Sequence, residues 1–111
     1  MAEVHDTQLL VLGAGPGGYA AAFLAADKGM KVTLIDTRER PGGTCLHVGC
    51  IPSKAVLHAA KLITDARDAA HIGLTFAPPK IDINGVRGHW MKVVDTLTGN
   101  LGRLSKARKV D

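Results

Sequence analysis

Gln8-Leu9-Leu10-Val11-Leu12-Gly13-Ala14-Gly15-Pro16-Gly17-Gly18-Tyr19 is the stretch on which the fold turns. Residues 8–12 are a largely apolar run with little alternation, as expected of a strand buried on both faces of a parallel sheet. The run stops at Gly13 and a glycine-rich turn follows. Residues 19–28 are then rich in good helix formers and end at Gly29, a natural helix C-cap. Residues 31–36, Lys-Val-Thr-Leu-Ile-Asp, predict a second strand that closes on an acid. Strand, turn, helix and strand make a βαβ unit with a right-handed crossover.

Within that unit the glycines fall as Gly13-x-Gly15-x-x-Gly18. Gly13 permits the tight turn, Gly15 lets the backbone approach a pyrophosphate, and Gly18 lets helix and strand pack closely. The unpaired N–H groups at the helix start favour phosphate. Asp36 ends the second strand, where a carboxylate can accept hydrogen bonds from a ribose 2′-OH and repels a 2′-phosphate. A glycine turn alone is weak; with both strands, the helix and the acid in place it predicts a Rossmann-like dinucleotide site. The fingerprint does not separate NAD from FAD.

Residues 37–43 form a polar connection ending in a Pro41-Gly42-Gly43 turn. From Thr44 to about Ala70 the apolar residues recur at three and four, and Pro52 sits near the start of that helix, where it is tolerated. Residues 73–79 read as a loop with a short extended piece. Asp82 or Asn84 is a candidate cap for a last helix reaching about Ala107, although Gly85, Gly88, Gly99 and Gly102 weaken it. Trp90, Val93, Val94, Leu97, Leu101 and Leu104 form its expected core-facing stripe. Two strands with three helices leave apolar strand surface without a partner. Residues 1–111 therefore read as the first part of a larger α/β domain, an incomplete parallel sheet with flanking helices, unstable and inactive alone.

Composition excludes several classes. The 111 residues allow one domain at most, and 46% hydrophobic with 22% charged residues argues against disorder. No stretch approaches the roughly 18–20 apolar residues of a membrane span. The short acidic N-terminus resembles no targeting peptide, so a cytoplasmic chain is expected. Fourteen Lys and Arg against ten Asp and Glu give +4, yet only 4% of residues are aromatic, which disfavours nucleic acid. Arg103, Lys106, Arg108 and Lys109 read as a solvated helix end.

Cys45-Leu46-His47-Val48-Gly49-Cys50 holds both cysteines. In an ideal helix residues five apart have Cα atoms roughly 8–9 Å apart, beyond the ~7 Å limit of a disulfide. If the two pair, the helix must be distorted, and Gly49 and Pro52 supply the flexibility and the break. A dithiol beside a helix N-terminus is expected to have a lowered thiol pKa. The alternatives are two structural cysteines, or a zinc site of Cys45, His47 and Cys50 that lacks a fourth ligand.

The run from Gly42 to Lys54, GGTCLHVGCIPSK, resembles the redox-disulfide signature of the FAD-dependent pyridine nucleotide–disulfide oxidoreductases. Its Ile51-Pro52-Ser53-Lys54 ending is similar to that of the members that oxidise dihydrolipoamide, with mercuric and glutathione reductase-like members as the alternative. A non-catalytic nucleotide-binding module is the reading from another class. The glycine motif, Asp36 and the 92–99 stretch extend the resemblance over nearly the whole chain. One departure is His47, where the family usually has Asn.

The resemblance implies FAD held by Gly13, Gly15 and Gly18, with Asp36 on its ribose. It implies that Thr37, Arg38, Glu39, Arg40, Pro41, Gly42, Gly43 and Thr44 run along the cofactor. Cys45 would be the interchange thiol, Cys50 would face the flavin, and Lys54 would lie near its ring. It implies NAD bound by a domain outside this chain, no metal, and a homodimer at full length. Lipoamide-bearing 2-oxoacid dehydrogenase or glycine cleavage complexes are the implied partners. The catalytic base is expected elsewhere, because His5, His58, His71 and His89 match no base motif.

Overall fold

The computed structural model describes Val4 and residues 6–111. The acidic leader and His5 otherwise lie outside the described residues. The order is β1 (Leu9–Leu12), α1 (Pro16–Asp27), β2 (Val32–Ile35), α2 (Gly43–His47), α3 (Cys50–Asp68), a 3-10 turn (Ala69–Ile72) and α4 (Ile83–Ala107).

β1 and β2 pair in parallel, Leu9 opposite Val32 through Leu12 opposite Ile35. The crossover helix α1 begins three residues earlier than its composition suggests, because Pro16 presets the first helical φ and lacks the N–H that would be orphaned there. At its far end Gly29, at φ +86, completes a hydrogen-bonded cap: its N–H donates to Ala26 and that of Met30 to Ala25. Ala22 and Ala25 of α1 bury themselves against Val32 and Val110, with Leu9, Val11 and Leu34 around them. Small helix residues over branched strand residues let helix and sheet approach closely.

α4 is one continuous helix of 25 residues despite its four glycines. Asp82 is its cap, and a carboxylate oxygen accepts the Asn84 N–H at 3.0 Å. It ends in the same kind of cap as α1, with Lys109 in the left-handed region at φ +55. That reversal returns the chain to the sheet. Leu34 N–H donates to the Asp111 carbonyl at 2.7 Å, and Asp111 N–H donates to Val32 at 3.1 Å. Asp111 thus occupies a third parallel position, on the side of β2 away from β1. The expectation of two strands missed this pairing.

The basic end, expected from sequence to be a solvated helix end, is not uniformly solvated. Arg108 stacks 5.1 Å over the Phe23 ring and its Nε lies 2.9 Å from Asp27, fastening α4 to α1. Of the expected α4 stripe, Val94 is buried and Leu104 is exposed. No described segment between residues 73 and 79 is a strand.

The expected helix from Thr44 is broken at Val48-Gly49 into α2 and α3. A Cβ on Gly49 would lie 2.8 Å from the Thr44 carbonyl oxygen, so this fold-back admits only glycine. Together α3 and α4 form a hairpin, and α3 has no buried residue. Val56, Leu57, Leu62 and Ile63 stay exposed. The Cα radius of gyration is 20.0 Å, against about 13 Å for a compact domain of this length. No described helix is long and apolar enough to cross a membrane.

Candidate active site

The glycine turn lies at the C-terminal ends of the parallel strands, where open α/β sheets place their ligands. Gly13 sits at φ +97, and its N–H ties the turn to Ile35 of β2 at 2.6 Å. A Cβ on Gly18 would lie 1.6 Å from the Gly13 carbonyl oxygen, so helix and turn touch backbone to backbone. Gly15 is the N-cap of α1 and carries no side-chain cap. The first N–H groups of α1 therefore have no side-chain acceptor and are available to an anion. The cradle fits a pyrophosphate.

Asp36 closes the site from β2. Its carboxylate accepts from Ala14 N–H at 2.6 Å and from Arg38 N–H at 2.8 Å. These two bonds, the one from Arg38 first, hold its pKa below the usual carboxylate value. Two clefts meet at Asp36: one of about 440 Å³ runs past Glu39 and Pro41 to α4, and one of about 330 Å³ runs past Thr37 and Gly13. Arg38 lines both. Arg40 behaves differently, since its guanidinium turns to α4 and bonds Asp95 and Thr98.

The thiol segment packs directly on this cradle. Gly42 N–H donates to the Ala14 carbonyl at 2.7 Å. A Cβ on Gly43, at φ +59, would lie 2.6 Å from the Gly15 Cα. Gly42, at φ +132, leaves its side-chain space to Leu46 and Thr98. Thr44 is exposed beside them. Cys45 lies half-buried in α2, and Cys50 is the exposed first residue of α3. Both are thiols in this structure. Lys54 follows one turn after Cys50, exposed.

The two thiols interact. Hydrogen bonding to Cys50, then desolvation, then the Cys50 charge push the Cys45 thiol above its ordinary pKa, with Lys54 pulling weakly the other way. The expected lowering fails for Cys45 because it sits within α2, not at the start of α3, and its nearest ionisable neighbour is a second acid. Among the described residues no three His, Cys, Asp or Glu side chains are grouped to hold a metal ion. His47 instead meets the Arg40 carbonyl at 3.1 Å, so the geometry gives the zinc reading no support. His58, His71 and His89 are exposed.

Sequence reasoning did not single out Ala14, Asp95 or Thr98. Ala14 stands between two motif glycines and uses both its N–H and its carbonyl to join the cradle to its neighbours. Thr98 lies on the buried side of α4, 1% exposed, and the sequence pointed to it only as part of the 92–99 stretch of the resemblance, with no role attached.

A dinucleotide cradle packed against a thiol pair defines a class. Residues 7–111 match the family of pyridine nucleotide-disulphide oxidoreductases, and the chain belongs to that family. Among curated relatives, it is 48% identical over 110 residues to a dihydrolipoyl dehydrogenase of Haemophilus influenzae, covering 99% of this chain and 23% of that protein. It is also 48% identical over its full length to one of Vibrio cholerae, again 23% of that protein. A Haloferax volcanii protein of the same name is 47% identical over 105 residues, 95% of this chain and 22% of the relative. The chain thus spans less than a quarter of the length of these relatives.

Proposed function

We propose that residues 1–111 are the N-terminal part of an FAD-binding domain in a flavoprotein that oxidises dihydrolipoamide and passes the electrons to NAD⁺. The observation that carries this reading is the backbone contact of Gly43 with Gly15, which puts the thiol segment against the phosphate cradle.

Gly13, Gly15 and Gly18 hold the FAD pyrophosphate through backbone N–H groups, and Asp36 takes the adenosine ribose. Thr37, Arg38, Glu39 and Pro41 wall the adenosine side, and Gly42, Gly43 and Thr44 lead from it to the thiols. The flavin, when bound, supplies the two-electron acceptor that cysteines lack. Cys45 and Cys50 form a disulfide in the oxidised state. One thiolate of dihydrolipoamide attacks the Cys45 sulfur, the Cys45–Cys50 bond breaks, and the electron pair leaves on Cys50. The second substrate thiolate then displaces Cys45, which takes a proton as lipoamide closes its own disulfide. The raised Cys45 pKa keeps the freed sulfur protonated, while it slows the displacement itself, since a leaving thiol of higher pKa departs less readily. Lys54 offsets negative charge on the reduced pair. The nicotinamide site and the base belong to parts of the polypeptide outside this chain, as does the homodimer contact. A cytoplasmic setting and delivery of the substrate on 2-oxoacid dehydrogenase or glycine cleavage complexes complete the reading.

The complete polypeptide to which these residues belong should oxidise dihydrolipoamide with NAD⁺, and Cys45→Ser or Cys50→Ser in it should abolish turnover while retaining flavin. Preferential reduction of Hg(II) or of glutathione disulfide with NADPH would move the assignment within the family. Bound zinc with no flavin would refute it.

A further inference from the structure

We propose that Arg40 and His47 are positioning residues that fix Cys45 relative to Cys50 by clamping the thiol segment to α4. The inference rests on the redox reading above.

Arg40 lies in an exposed connection, yet its guanidinium is spent on α4. Nη1–H donates to Asp95 Oδ1 at 2.8 Å, and Nη2–H donates to the Asp95 carbonyl at 2.9 Å and to Thr98 Oγ1. Thr98 is buried and its hydroxyl donates in turn to the Val94 carbonyl at 2.9 Å. An exposed ion pair alone is worth little. Here a carboxylate, a backbone carbonyl and a buried hydroxyl hold one planar fork, a geometry that lysine does not reproduce.

The same residue faces the thiols with its other end. The Arg40 carbonyl meets His47 Nε2 at 3.1 Å. A carbonyl carries no proton, so the histidine nitrogen donates. His47 ends α2, two residues after Cys45, while Gly42 N–H ties the start of α2 to Ala14. Both ends of the short thiol helix are therefore anchored, one to the phosphate cradle and one through Arg40 to α4. A five-residue helix has little stiffness of its own. Its two anchors, with the fold-back at Gly49, set where the Cys45 sulfur stands.

The test uses the full chain loaded with FAD and equilibrated against mixtures of glutathione and its disulfide. Reducing the Cys45–Cys50 bond consumes two glutathione thiols, which supply two electrons and two protons and leave as one glutathione disulfide. Disulfide content is read by alkylation and mass. His47→Ala and Asp95→Ala should each shift the equilibrium constant of the pair by about three- to tenfold, the range of a single net hydrogen bond, with flavin content unchanged. The double variant should shift it by less than the product, because the two residues act through one clamp. His47→Gln, whose terminal amide donates from a similar reach, should restore the parent value. Arg40→Lys should behave like Asp95→Ala. If a truncated variant fails to fold, the conservative pair His47→Gln and Arg40→Lys decides: matched equilibrium constants overturn the clamp. Unshifted single variants, or shifts that multiply, overturn it too. A parent chain that never loses two hydrogens from its cysteines sinks the redox reading itself, whereas normal cycling in parent and variants alike sinks only the clamp.

Discussion

Adjacent glycines of the α1 first turn should respond to the same substitution with opposite signs. At Gly18 an added Cβ meets the Gly13 carbonyl oxygen at 1.6 Å and its carbon at 2.8 Å. Carbon and oxygen rest about 3.3 Å apart or more, a shortfall of roughly 1.7 Å. Neither partner can yield by rotating a side chain. Moving Gly13 strains its 2.6 Å bond to Ile35, the link between turn and β2. Overpacking costs about 1–3 kcal/mol, and losing that bond adds about 1, so Gly18→Ala should cost about 2–4 kcal/mol. At Gly17 nothing lies within 4 Å of the new atom. Gly17→Ala should stabilise by about 0.4–1 kcal/mol through helix propensity and a less free unfolded chain. Equilibrium guanidinium unfolding of the full chain, followed by Trp90 fluorescence, should place the two midpoints on opposite sides of the parent. Displaced N–H groups should also weaken FAD about 10- to 100-fold in Gly18→Ala, the worth of one hydrogen bond to a charged group. If the two variants unfold within about 1 kcal/mol of each other, steric contact is not the reason for glycine at position 18.

Other substitutions probe the remaining supports. Cys50→Ala removes the hydrogen bond and charge that raise the Cys45 pKa, so the alkylation midpoint of Cys45 should move to lower pH. The linkage follows: folded Cys45 holds its proton more tightly than unfolded Cys45, so the stability it contributes is present below the unfolded thiol pKa. That contribution is lost as pH rises through the folded value, and the alkaline loss should be smaller in Cys50→Ala. Asp36 has the opposite sign: its depressed pKa stabilises above the unfolded carboxylate value and is lost as pH falls through the folded one. Asp36→Asn should flatten that acid limb in unfolding titrations, because an amide does not titrate, and should lower stability near neutral pH, because its amino group sets a donor against one of two backbone donors. Asp82→Ala should cost about 1 kcal/mol, the worth of a cap, and speed hydrogen exchange in the first turn of α4.

The βαβ unit was legible because its signals are local: an apolar run, a glycine spacing, an alanine-rich helix and an acid within residues 8–36. The break between the thiols was legible only conditionally: the apolar periodicity from Thr44 predicts one helix, and a distortion near Gly49 follows only if residues 45 and 50 are to pair. The start of α1 was placed late because Gly17 and Gly18 disfavour helix in isolation, and their close packing on the turn overrides that preference. What joins the site together was not legible. Arg40 finds Asp95 across 55 positions, and no periodicity marks such a meeting. The same holds for Arg108 over Phe23 and for Asp111 beside β2. The Cys45 pKa lies above its ordinary value, not below it, because the deciding neighbour is a second thiol and not a helix end.

The meeting of Gly15 with Gly43 carries a further consequence. Main chain presses on main chain there, so no rotamer stands between the two turns to absorb a shift. A displacement of one turn is handed to the other almost undiminished. On the proposed reading, filling the cradle should therefore register at the sulfurs, and a thiol reagent should serve as a gauge of how fully it is filled.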